Sequence, residues 1–101
     1  MSKSSFSEII NSATPVVVDF YADWCGPSQT FAPILDRLRS ELGNKAKVIQ
    51  IDVDKDPHLV AKLHIHSLPT VMIFQNGEVK WRGMDIPSLK SIKKKVKGLV
   101  A

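Results

Sequence analysis

The chain has 101 residues, which is enough for one hydrophobic core and too short for two independently stable units. Its apolar and charged fractions, 44% and 24%, are ordinary for a globular protein, and no apolar run approaches the ~18 residues of a membrane span. We therefore expect a single domain over residues 1–101, with no membrane partner and no leader segment. A single cysteine cannot form an internal disulfide. That fits the cytoplasm, with the periplasm open if a signal has been removed.

The formal charge of +4 is concentrated in one stretch near the end of the chain. The residues concerned are Lys90, Lys93, Lys94, Lys95 and Lys97. Apolar residues recur through the same stretch at helical spacing, namely Leu89, Ile92, Val96 and Leu99. This pattern predicts a helix whose lysines lie on the outer face, and a run of charges is usually solvated. We therefore expect no nucleic-acid partner.

The first half of the chain alternates helix and strand. Phe6, Ile9 and Ile10 indicate a short helix over about residues 5–11, and the run from Val16 to Tyr21 predicts a strand buried on both faces. A long helix follows, with its apolar face at Phe31, Ile34, Leu35, Leu38 and Leu42. Pro33 should kink this helix rather than stop it, and Gly43-Asn44 should end it in a left-handed cap.

The second half adds three more strands. Residues 47–53 predict a strand, and Asp56-Pro57 begins a short helix with the proline in its first turn. Residues 71–74 and 78–82 flank Asn76-Gly77, a strong hairpin signal, so these two strands should be antiparallel. The sequence therefore predicts an α/β domain with a mixed sheet.

Cys25 lies directly after the first strand, at the beginning of the long helix. Ligand sites of α/β sheets gather at this position. Free N–H groups and the helix dipole favour a negative charge there by ~0.3–1 kcal/mol, which stabilises a thiolate. Gly26 lets a partner chain approach, and Pro27 fixes the turn that enters the helix. An inert core cysteine would need neither neighbour.

The segment from Val18 to Pro27, which reads VDFYADWCGP, closely resembles the signature of the thioredoxin family. Further matches extend over nearly the whole chain, at Phe31-Ala32-Pro33, Val53-Asp54, Leu68-Pro69-Thr70, Asn76-Gly77 and Gly83. The resemblance implies the thioredoxin fold, a three-layer α/β/α arrangement with a mixed central sheet of about four strands. The short N-terminus implies that the usual edge strand is short or missing. A second departure is Val48, where a lysine often lies near the buried acid.

The resemblance also implies roles for individual residues. Cys25 is the attacking thiol, Trp24 covers the site, and Pro69 is a cis-proline that places the backbone of Leu68 beside the sulfur. The implied substrate-binding residues are Trp24, Gly26, Pro27, Leu68, Pro69, Thr70 and Gly83. Trp24 could instead serve only in packing, and Pro69 taken alone would more often be trans.

Asp19 is the one acid in the first strand. We expect burial to raise its pKa. In the family this acid exchanges protons, through water, with the resolving cysteine. A hydrogen-bonded core acid without a working role is an equal alternative, because the resolving position is occupied by Ser28.

Ser28 cannot release a captured substrate, because its hydroxyl is a weak nucleophile and would not regenerate a stable disulfide. It could instead donate a hydrogen bond to the Cys25 thiolate. The leading hypothesis is a protein-disulfide reductase in a resolving-cysteine-to-serine form, which attacks substrate disulfides and stays attached. Its parent would be recharged by thioredoxin reductase. A natural monothiol protein resolved by glutathione is one alternative, and a non-covalent peptide-binding module is another.

No cofactor is implied, and a metal site is not expected. His58, His64 and His66 are the histidines of the chain, but histidines without clustered cysteine or acid ligands are more often surface residues. We expect a monomer, which an intermolecular disulfide through Cys25 could convert to a dimer.

Overall fold

The computed structural model describes residues 3–84 and 87–100, and within them it contains four strands and four α-helices in the predicted order. The elements are α1 (Lys3–Ile10), β1 (Val16–Tyr21), α2 (Gly26–Leu42), β2 (Lys47–Asp52), α3 (Pro57–Lys62), β3 (Thr70–Gln75), β4 (Glu78–Met84) and α4 (Leu89–Leu99). Two short 3-10 turns, Gly43–Lys45 and Val53–Lys55, flank β2. Helix α1 begins two residues before the predicted start, β1 has the predicted bounds, and the other strands differ from prediction by one or two residues at their ends.

The strands form one open sheet in the order β2-β1-β3-β4. Strand β1 runs parallel to β2 and antiparallel to β3, and β4 runs antiparallel to β3. The predicted mixed sheet of four strands is therefore confirmed. Val16–Phe20 are all buried because β1 has a neighbour on each side and helices on both faces. Among the described residues, those that precede β1 form α1 and its connection rather than an edge strand.

Two hydrophobic clusters, one on each side of the sheet, make the three layers. On one face α1 and α3 pack with Phe6, Ile10 and Leu59 against Val16, Val18 and Phe20 of β1. On the other face α2 and α4 contribute Phe31, Leu35, Leu38, Ile92 and Val96, which pack against Val17, Val71 and Ile73. The alternation along β1 decides which face each residue reaches.

Helix α2 continues through Pro33 and ends at Gly43. Gly43 has φ +52° and ψ −122°, and its N–H donates to the carbonyl of Arg39. The helix therefore ends at the predicted residue, but the predicted left-handed cap is wrong: φ is positive, whereas ψ lies outside the left-handed helical region, and the chain continues directly into a 3-10 turn.

The hairpin turn at Asn76-Gly77 has positive φ at both central residues, 53° and 80°. This is the geometry of a type I′ turn, whose twist matches that of the flanking strands. The two turn N–H groups donate to the carbonyls of Ser12 and Ile10, at 2.8 and 3.0 Å, which ties the hairpin to the end of α1.

Changing Gly77 to alanine should lower the free energy of unfolding by about 1–2 kcal/mol, because an L side chain strains the positive φ. A Cβ there would meet only Asn11 Oδ1 at 3.8 Å, so backbone strain is the main effect. Urea denaturation measures the change. Gly98→Ala is the matched control, because Gly98 lies in α4 with open space around its Cα. This change should raise the free energy of unfolding by up to about 1 kcal/mol. Equal losses in both variants would contradict the strain argument.

Candidate active site

Cys25 is the N-cap residue of α2, and its side chain is partly exposed. Its backbone is held on both sides, since its N–H donates to Ala22 at 3.1 Å and its carbonyl accepts from Gln29 at 3.2 Å. The thiol donates to the backbone carbonyl of Leu68, with 3.8 Å between Sγ and oxygen. That hydrogen bond needs the proton, so it breaks when the sulfur ionises.

A groove of about 280 Å³ opens beside the sulfur. It is lined by Trp24, Cys25, Val53, Val60, Ile65, His66, Ser67 and Leu68. The peptide bond between Leu68 and Pro69 is cis. We call this depression the sulfur groove. Of these lining residues, the sequence predicted Trp24, Cys25 and Leu68 as site residues. The others come from α3 and from the segments that follow β2 and precede β3.

Arg82 of β4 holds the loop that forms one wall of the sulfur groove. Its guanidinium donates to the carbonyls of Leu63 and His64, at 2.7 and 2.6 Å. These carbonyls lie at the end of α3, directly before the segment that contributes Ile65 to Leu68. A surface arginine on the hairpin therefore sets the position of a wall that lies next to the cysteine.

Trp24 forms the outer rim of the sulfur groove and is 71% exposed. Its indole Nε1–H donates to Oδ2 of Asp54 at 2.8 Å. This exposure excludes the alternative that Trp24 serves only in core packing. Asp54 was not predicted as a site residue, although it follows β2 at the same sheet edge as Cys25, and that position was the available signal.

Ser28 is 4% exposed and lies in the first turn of α2. Its hydroxyl oxygen accepts from the backbone N–H of Ala22 at 3.4 Å. The hydrogen bond from Ser28 to the Cys25 thiolate stays a prediction. In the thiol form, among the described residues, Ser28 and Cys25 share no hydrogen bond, and the thiol donates to Leu68 instead. The reason is that the inward-facing hydroxyl satisfies a buried backbone donor at the end of β1.

Asp19 is 1% exposed, and burial raises its pKa from an ordinary 3.8 to about 6, as predicted. Oδ2 accepts from the amide of Gln50 at 3.5 Å, which partly opposes that rise. Oδ1 is buried without a partner among the described residues. Val48, which was expected near this acid, is not its direct strand partner. The register of the parallel strands pairs Val48 with Val17 and pairs Gln50 with Asp19.

The remaining predicted site residues lie at different distances from the sulfur groove. Gly26 and Pro27 form the exposed first turn of α2. Thr70 is fully buried, and its hydroxyl donates to Ser67 at 2.6 Å, so its side chain is turned away from any ligand. Gly83 pairs with Val71 in the sheet, and a Cβ there would meet the ring of Trp81 at 2.3 Å. The structure therefore places the side-chain positions of Thr70 and Gly83 outside the sulfur groove.

The histidines do not form a metal site within residues 3–84 and 87–100, where no group of three histidine, cysteine or acidic side chains could hold an ion. The rings of His64 and His66 lie 6.3 Å apart. No helix formed by the described residues is both long enough and apolar enough to cross a bilayer.

Comparison with known proteins places this geometry in context. The thioredoxin family model matches residues 1–98. The chain is 45% identical over 78 residues to thioredoxin of Rickettsia felis, a match that covers 76% of this chain and 74% of that one. It is 40% identical over 75 residues to the bifunctional thioredoxin reductase/thioredoxin of Mycobacterium leprae, covering 74% of this chain and 16% of that protein. A mutant thioredoxin from Halobacterium salinarum superposes with a TM-score of 0.88 at 26% identity, covering all of this chain and 88% of the other.

Proposed function

The chain belongs to the thioredoxin family, whose members carry out thiol-disulfide exchange. On this basis we propose that Cys25 attacks substrate disulfides and then remains bound to them. The thiolate forms a bond to one substrate sulfur while the substrate S–S bond breaks. The second substrate sulfur leaves as a thiolate and takes up a proton. In this proposal Ser28 stands where a resolving cysteine would attack the mixed disulfide, so the covalent complex persists.

One observation carries this proposal. The sole cysteine of the chain is partly exposed at the head of α2, in a groove that Leu68 also lines, with the Leu68 carbonyl oxygen 3.8 Å from Sγ. An extended substrate segment can pair with that backbone while its disulfide sulfur meets Sγ. The orienting groups are fixed before the substrate arrives, since Asp54 holds Trp24 and Arg82 holds the loop before Leu68.

The proposed partners are disulfide-containing proteins. A form with cysteine at position 28 would in addition accept electrons from a thioredoxin reductase. The Mycobacterium leprae relative, whose name joins reductase and thioredoxin in one protein, supports this assignment. The cytoplasm is the proposed location. A single domain over residues 1–101 is the proposed organisation, supported by the family match over residues 1–98.

Incubation with a disulfide protein such as insulin tests the proposal. We expect a one-to-one adduct on a non-reducing gel, of summed mass, that dithiothreitol removes. Cys25→Ser should form none. Rapid multiple turnover without an adduct would contradict trapping. Release and turnover on adding reduced glutathione would favour the monothiol alternative. Undiminished capture by Cys25→Ser would favour non-covalent peptide binding.

A further inference from the structure

A second depression, which we call the basic groove, lies between α2 and α4 on the opposite side of the sheet from the wall of the sulfur groove. Its volume is about 400 Å³. It is lined by Arg37, Glu41, Leu89, Lys90, Lys93, Lys94 and Lys97. It shares no residue with the sulfur groove.

The basic groove holds most of the charge imbalance of the protein. Five cationic side chains and one carboxylate line it, a net +4 that equals the formal charge of the whole chain. The Glu41 carboxylate accepts from Lys93 Nζ at 2.6 Å and from Arg37 Nε at 2.7 Å. Both hydrogen bonds lower the pKa of Glu41, the one from Lys93 more than the one from Arg37. Within residues 3–84 and 87–100, Lys90, Lys94 and Lys97 have no carboxylate partner.

The unpaired cations form a row with an apolar floor. Lys90, Lys94 and Lys97 are spaced i, i+4, i+7 on α4, so they lie on one side of the helix and span about 10 Å. Leu89 lies partly buried at one end of the row, and lysine methylene stems extend the apolar surface. The groove therefore offers several positive charges around a place for one apolar side chain.

We infer that the basic groove is a docking site for a segment of a partner protein that carries several carboxylates around one leucine-like side chain. Charge complementarity selects acidic partners, and the concave apolar floor selects a peptide over a nucleic acid. The phosphates of a duplex would contact the lysines but leave Leu89 uncovered.

Docking at the basic groove leaves the cysteine free. Arg37 follows Cys25 by twelve residues along α2, which corresponds to about 18 Å. A partner held at the basic groove could therefore present a disulfide at the sulfur groove at high effective concentration. The docking itself does not depend on thiol chemistry, so it can be tested separately from the proposed function.

The test uses a peptide with four glutamates around one leucine, titrated into ¹⁵N-labelled protein at ~10 mM and ~150 mM ionic strength. We expect amide shift changes along Leu89–Leu99 and around Arg37 to Glu41, with binding weakened at the higher salt. Lys90→Gln/Lys94→Gln should weaken binding about three- to tenfold at low salt, because two cation contacts are lost. Lys45→Gln/Lys47→Gln removes the same charge from exposed positions outside the groove. This control should change the affinity for the peptide less than about twofold.

Several results would overturn the inference. One is that the acidic peptide changes no amide shifts. Another is that both double variants weaken binding equally, and a third is that a peptide with glutamine in place of glutamate binds as tightly. A DNA duplex, or phosphatidylserine vesicles, that bound more tightly than the peptide and lost affinity in Lys90→Gln/Lys94→Gln would assign the groove to another class of partner.

Discussion

Replacing Ser28 with cysteine should convert a protein that holds its substrate into one that releases it. Positions 25 and 28 lie three residues apart in the first turn of α2, where Cβ atoms are about 5–6 Å apart, and a small backbone adjustment brings two sulfurs into bonding distance. The new thiolate would attack Cys25 Sγ in the mixed disulfide. An internal disulfide forms, and the substrate sulfur leaves as a thiol.

The measurement is a single-turnover reaction of the pre-reduced protein, freed of dithiothreitol, with an equal amount of insulin, because dithiothreitol would itself release the adduct. Ser28→Cys should release reduced insulin chains and end with an internal disulfide and no accumulated adduct, whereas the present chain should remain joined to insulin. Ser28→Ala is the matched control. It should keep the trapped adduct and lose about 1 kcal/mol of stability, because the Ala22 N–H loses its acceptor. Release of substrate by Ser28→Ala would show that something other than a missing thiol governs the trap.

Local pattern was sufficient for the framework of the fold. The helical spacing of Ile92 and Val96 predicted which side of α4 is buried, and both residues are fully buried. Asn76-Gly77 predicted the hairpin because these residue types tolerate the positive φ that a type I′ turn requires. Each of these inferences uses residues that are neighbours in the chain, so no knowledge of the tertiary arrangement was needed.

The site depended on contacts that local pattern does not encode. Asp54 reaches Trp24 across 30 residues, and Gln50 reaches Asp19 across 31. Both contacts depend on the parallel register of β1 and β2. The sequence could not show whether position 48 or position 50 lies beside the buried acid, because that depends on the register. The orientation of Ser28 could not be predicted either, because it depends on a backbone donor at the end of another element.

Changing Asp19 to asparagine should stabilise the protein at alkaline pH and have little effect in acid. The pKa of Asp19 rises from 3.8 to about 6 on folding because burial disfavours its charged form. The folded protein is therefore more stable when Asp19 is protonated than when it is ionised. That advantage is complete below pH 3.8 and is lost as the pH rises through about 6. The difference between the two pKa values corresponds to about 3 kcal/mol, the upper limit of the gain for Asp19→Asn at pH 8.

Urea denaturation at pH 4 and pH 8 separates this charge effect from a change in packing. Asparagine is close to the protonated acid in shape, so the two proteins should unfold alike at pH 4. Gln50→Leu should lower the free energy of unfolding at pH 8, whereas Asp19→Asn should raise it. The reason is that Gln50→Leu removes the hydrogen bond that favours the ionised acid, and so raises the pKa of Asp19 further. An Asp19→Asn gain of equal size at both pH values would mean that packing, rather than ionisation, is responsible. No gain at pH 8 would mean that water reaches the carboxylate despite its 1% exposure. Opposite signs for the two variants at pH 8 are the specific consequence of a carboxyl group that burial makes costly to ionise.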